Sequence, residues 1–140
     1  MRCKQRASLL LFAFVSAGSS LAQSVYLMST SVLEGKAIVH PLPPYPPESQ
    51  RDHHEGVAVA EIVVGSDGAV AQVRLLQAPD AAISSALSTT LLKWRFQPMT
   101  SEGKPVSVSS RMIFYFKRAA DSYTVIDAGA EEAQRQAARQ

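Results

Sequence analysis

From Gly56 to Val64 the residues Ala58, Ala60, Ile62 and Val64 alternate with Val57, Val59, Glu61 and Val63, which is the period-two pattern of a β-strand. Both sets are largely apolar, as expected of a central strand. Gly65-Ser66-Asp67-Gly68 supplies the positive-φ residues of a tight hairpin, and Val70 to Leu76 returns as a second strand. Ala69, Ala71 and Gln72 break the alternation, so a bulge is predicted there. Asp80 stands where it can cap a helix. After it, Ile83, Ala86, Leu87, Thr90, Leu91 and Trp94 recur at spacings of three and four, forming a stripe that needs a sheet to cover it. Pro98 stops this helix and Ser101-Glu102-Gly103-Lys104 turns the chain. A long alternation from Val106 to Lys117 follows, with Val106, Val108, Ser110, Met112, Phe114 and Phe116 on one face.

Topology then decides the pairing. If the first strand runs up, the second runs down, the helix runs up and the third strand runs down, so the third strand's antiparallel partner is the first. Ahead of them, Pro46 or Pro47 suits a first helical turn and Glu48 and Asp52 suit its positive end, predicting a short helix from Pro47 to His54. The expected fold is therefore α+β: a three-stranded antiparallel sheet in the order 2-1-3, with a short N-terminal helix and one long helix packed on one face. This order leaves the third strand with an unpaired margin, and such a margin can accept a strand from another chain.

Charge and hydropathy add an N-terminal leader. Arg2, Lys4 and Arg6 precede the apolar run Leu9 to Val15, and small residues follow to Ala22, which is the arrangement of a secretory signal. An uncleaved membrane anchor is the rival reading, although a bilayer span takes about 20 predominantly apolar residues. The lone cysteine, Cys3, lies ahead of the run and would leave with a cleaved leader. Without the three leader cations, eleven basic residues face twelve acidic ones, a net charge of −1. No electrostatic attraction to nucleic acid remains. With 140 residues there is room for one small domain. Residues 1–22 are read as the signal peptide or anchor, 23–43 as an extended segment with a proline-rich linker, 44–118 as the domain, and 119–140 as a flexible or helical tail. Within the extended segment Val25 to Met28 and Ala37 to Val39 look strand-like, forming a small hairpin or simply extended chain.

Catalytic chemistry finds little support. His53-His54-Glu55 offers ligand-type side chains, but neighbours on a helix diverge by about 100° and no third ligand stands at a recognised spacing. There is no Gly-x-Ser-x-Gly elbow and no phosphate-binding glycine loop. The expectation is no enzyme, no metal and no cofactor. Trp94 reads as a core residue closing the helix over the sheet, and Arg95 as a solvated or carboxylate-paired side chain.

Pro44-Tyr45-Pro46, Glu55-Gly56, Asp67-Gly68-Ala69-Val70, Trp94-Arg95-Phe96-Gln97-Pro98 and Gly103-Lys104-Pro105-Val106, in this order and at these spacings, resemble the C-terminal domain of TonB energy-transducing proteins. The resemblance implies a periplasmic domain that grips the N-terminal TonB box of outer-membrane transporters by adding it as a strand. It also implies ExbB- and ExbD-like inner-membrane partners if the chain is anchored. Carried onto this sequence, the peptide-binding residues would be Tyr45 and Pro46 together with Val106, Ser107, Val108, Ser109, Ser110, Arg111, Met112, Ile113 and Phe114. A free periplasmic adaptor or dimerising module with the same fold and no energy coupling is the alternative. A homodimer through the third strand would occupy the same margin.

Overall fold

The computed structural model describes residues 24–140. The elements in chain order are β1 (Val25–Leu27), α1 (Thr30–Glu34), β2 (Ala37–Val39), α2 (Pro47–Arg51), β3 (Gly56–Val64) and β4 (Val70–Gln77). They continue with α3 (Ala81–Leu91), β5 (Arg95–Phe96), β6 (Met99–Ser101), β7 (Lys104–Ala119), β8 (Ser122–Asp127) and α4 (Ala128–Ala138). The leader and Cys3 lie outside the described residues.

The hairpin forms as its turn chemistry dictates. Gly68 takes φ +85°, the Gly65 N–H donates to Ala69 O at 2.8 Å, and Asp67 Oδ1 accepts from the Ala69 N–H at 3.0 Å. The predicted bulge is present: Val63 pairs with Gln72 but Val64 with Val70, leaving Ala71 as the extra residue. β3 pairs antiparallel with β7 from Gly56↔Phe116 to Val64↔Val108. β4, β3 and β7 thus stand side by side in the 2-1-3 order expected for the three strands.

The sheet is nonetheless larger than the three strands expected. Its main path runs β1-β7-β3-β4, with β6 and β8 also paired to β7, and β2 and β5 make a separate two-stranded sheet. Among the described residues there are four helices, against two expected in the domain and a tail expected to be flexible or helical. The difference arises because short segments at both ends of the domain pair with a third strand that is longer than the alternation alone suggested. Among the described strands β1 is the one parallel addition, pairing Val25↔Ser107 through Leu27↔Ser109.

One face of the sheet carries the core. Ala58, Ala60, Ile62 and Val64 of β3 and Val108, Met112, Phe114 and Phe116 of β7 are buried, and Ile83, Leu87 and Leu91 of α3 close over them. Asp80 caps α3, accepting from the Ile83 N–H at 2.7 Å. Trp94 is fully buried and stands edge-on to Phe114, centroids 6.0 Å apart. Its Nε1–H donates to Pro41 O at 3.0 Å. Pro43, Tyr45 and Pro46 are also buried, so these residues of the proline-rich stretch pack onto the domain. Arg95 is exposed, as the solvated reading expects, and has no carboxylate partner among the described residues. Its Nη1 donates to Leu92 O and Trp94 O at 3.1 and 2.7 Å, just past the end of α3 where a cation is favoured. Trp94→Phe keeps an aromatic ring but removes the bond to Pro41 and leaves a partial cavity. A loss of about 2 kcal/mol is expected from urea unfolding, and an unchanged midpoint would show that the tether contributes nothing.

Candidate functional site

β7 gives one side of its backbone to β3, and the other side is the margin expected to be vacant. The structure overturns that vacancy. Three different parts of the chain lie along it. At one end β1 runs parallel to residues 107–109, and just beyond it the Met28 N–H donates to Ser109 O at 2.9 Å. In the middle Thr30 Oγ1 donates to Arg111 O at 2.6 Å. At the far end β8 pairs antiparallel with residues 114–119, from Phe114↔Asp127 to Ala119↔Ser122. The physical reason is local supply: Met28, Tyr123 and Val125 are apolar groups that pack against the core, and tethered segments reach a margin at far higher effective concentration than any separate molecule.

Ser109 and Arg111 both turn their carbonyls to the β1 and α1 side, and backbone polar groups alternate along a strand. Odd-numbered residues of this stretch therefore present their N–H and C=O groups to that margin, and Val108, Ser110 and Met112 present theirs to β3. By the same alternation Tyr26 faces β7, two residues before Met28. Of the expected peptide-binding residues, Val108, Ser109, Ser110, Met112 and Phe114 are buried, Val106, Ser107 and Ile113 are half-buried and Arg111 is exposed.

Val106 to Phe114 form one continuous strand, but Tyr45 and Pro46 do not join its first half. Tyr45 packs edge-on against Phe116 and Tyr123, with centroids 5.3 and 5.0 Å away, and its hydroxyl donates to His54 O. Ten residues of strand separate Val106 from Phe116, roughly 33 Å. The histidines flagged by the sequence have separate partners: His53 Nδ1 is 3.1 Å from Tyr123 Oη and His54 Nδ1 is 2.8 Å from Asp80 Oδ2. No group of three or more ligand-type side chains gathers among the described residues, and no described helix is long and apolar enough to cross a membrane.

Sequence reasoning missed the junction that holds these additions together. α1 packs against the start of α4. Asp127 caps α4, its Oδ1 accepting from the N–H groups of Gly129 and Ala130 at 3.0 and 3.1 Å. Glu34, at the end of α1, is buried beside it. Burial, and after it the charge of Asp127, pushes the Glu34 carboxyl up to about 9. Burial also raises Asp127, against the pull of the α4 N–H groups. The Glu34 carboxyl thus keeps its proton at neutral pH. The only signal in the sequence was the cap itself, an Asp ahead of an Ala- and Glu-rich run.

A profile of the Gram-negative bacterial TonB protein C-terminal family matches residues 41–117. The chain belongs to the TonB C-terminal family. Protein TonB of Pseudomonas aeruginosa is 30% identical over 76 residues, which are 54% of this chain and 22% of that protein. The chain thus spans about a fifth of the length of this curated relative. The solution NMR structure of the Pseudomonas aeruginosa TonB C-terminal domain superposes with a TM-score of 0.52 at 28% identity, covering 59% of this chain and 85% of that one. The fold is accordingly the mixed α+β fold of that domain. β1, α1, β8 and α4, the elements that close the β7 margin of this TonB family member, all lie outside the span matched by the family profile.

Proposed function

We propose that this TonB family member acts in the periplasm, binding the N-terminal box peptide of outer-membrane transporters by strand addition along residues 106–114 of β7, in support of energy-dependent transport. Residues 1–22 are the leader that delivers it there, or retain it at the inner membrane beside ExbB- and ExbD-like partners. The activity is mechanical and recognitive, without catalysis, as in the family at large. One observation carries the reading. Among the described residues, the polar groups of the β7 margin over residues 107–111 are met only by a three-residue parallel strand, one further N–H and one hydroxyl. An incoming strand could replace the bonds made by β1 and Met28, and main-chain pairing of this kind supplies affinity while alternate side chains tune selectivity.

The test is titration of the full chain, and of a Tyr26→Pro variant whose β1 has lost an N–H facing β7, with N-terminal peptides of outer-membrane transporters. Saturable binding is expected, weakened at least tenfold by Ser109→Pro, because the Ser109 N–H faces the margin. Val108→Pro is the wrong probe, since its N–H faces β3 and its loss would damage the sheet itself. Absence of binding to both proteins at millimolar peptide, or full affinity in a folded Ser109→Pro protein, overturns the proposal.

A further inference from the structure

We propose that residues 24–29 are a built-in occupant of the peptide-accepting margin of β7, kept in place by the packing of α1 on α4, so that a partner strand binds by displacing them. The inference rests on reading that margin as the peptide site, and adds that the free protein holds the site closed with its own chain.

The occupant is built to be exchanged. β1 pairs over three residues, in the parallel arrangement that is slightly less stable per residue than an antiparallel ladder. Its side chains bury little: Leu27 is 91% exposed, and Val25 and Tyr26 are each about half exposed. Removing it from β7 therefore sacrifices few apolar contacts. Met28 is the exception, packed against the core at the end of the strand, and an incoming strand would need an apolar residue in its place. β8, by contrast, holds its part of β7 through six paired residues. The two additions differ in kind, and the short one is the one that can leave.

The occupant is also anchored where it must not leave. Immediately after it, Thr30 bonds to Arg111 O, and Leu33 of α1 is fully buried in the core. Gly129, at the start of α4, lies against this helix so closely that a Cβ there would stand 2.6 Å from Thr30 Cγ2 and 2.7 Å from Glu34 Cγ. A tether of this kind returns β1 to its margin at high effective concentration whenever it detaches. The same contact gives a specific way to loosen it. Gly129→Ala forces α1 and α4 apart at one point, while Ala is otherwise the better helix residue.

Hydrogen exchange of the full chain tests this without any ligand. The Ser109 amide, which faces β1, is expected to be protected in the wild type, and to lose protection at least tenfold in Tyr26→Pro and in Gly129→Ala. The Val108 and Ser110 amides, which face β3, should keep theirs. A Ser109 amide exchanging as fast as those of exposed turns in the wild type, or one unchanged in both variants, overturns the proposal. The transporter peptides supply the second arm: Tyr26→Pro should bind them at least tenfold more tightly than the wild type, and equal affinity overturns displacement. Loss of Ser109 protection with no peptide bound by any of the proteins supports the occupant and sinks the transporter reading instead.

Discussion

Replacing Gly68 by alanine is expected to remove about 4 kcal/mol of stability. Gly68 sits at φ +85°, in the left-handed region that costs a side chain about 1–2 kcal/mol. The second cost is spatial. A Cβ there would stand 2.1 Å from Phe96 O and 3.1 Å from the Phe96 carbonyl carbon, both backbone atoms. Neither can turn away, because the Phe96 N–H donates to Gly68 O at 2.8 Å and holds the hairpin turn against β5. Overpacking against fixed backbone adds about 1–3 kcal/mol. Gly103→Ala is the internal control: its φ is also positive, at +77°, but nothing lies within 4 Å of a Cβ there. It should cost only the left-handed term, about 1–2 kcal/mol. Urea unfolding of both variants separates the terms, and a Gly68→Ala loss no larger than that of Gly103→Ala would show that the turn is not clamped by β5.

The parts of this fold that were legible in the sequence are those set by neighbouring residues. The Ala58 to Val64 alternation, the Asp67-Gly68 turn, the bulge near Ala71 and the Ile83 to Trp94 stripe each follow from periods of two or 3.6 and from local turn chemistry. The order of β4, β3 and β7 followed too, because antiparallel direction and one helical crossover leave a single arrangement. What failed were statements about long-range occupancy. Val25 to Met28 reads as a strand, but four residues carry no information about which margin they join or in which direction, and their partner is some 80 residues away. Thr30 to Glu34 has no helical stripe of its own and is helical through tertiary packing, with Leu33 as its buried apolar residue and Glu34 buried beside it. The proline-rich stretch resembled a spacer because the Pro41 carbonyl and the Trp94 indole that binds it are separated by 53 residues. Of the candidate site, the strand from Val106 to Phe114 was readable and its state of closure was not. Tyr45 was singled out by motif, yet the structure puts it in the aromatic cluster with Phe116 and Tyr123, far from Val106.

Glu34 was the least legible residue of all, since a lone acid beside a glycine in a polar segment gives no sign of burial, and it carries the second large prediction. Stability of the wild type is expected to fall as pH rises from about 4.5 to about 9. The sign follows from the raised carboxyl. Below its ordinary value of 4.5 Glu34 is protonated in both the folded and the unfolded chain, so its full contribution is present. Above that, the unfolded chain releases the proton while the folded one retains it until about 9, and stability is lost across this window. Asp127, also raised, acts in the same direction. The groups that meet the pair come from separate elements: the α4 N–H groups of Gly129 and Ala130 bind Asp127, the charge of His40 favours its ionised form, and Thr30 of α1 ties the junction to β7. Glu34→Gln keeps the shape and a donor toward Asp127 but cannot ionise. It should match the wild type near pH 4 and exceed it by a few kcal/mol near pH 9, with the Ser109 amide of the wild type losing protection over the same range and that of the variant keeping it. Parallel pH profiles for the two proteins would mean that the Glu34–Asp127 contact does not hold α1 on α4.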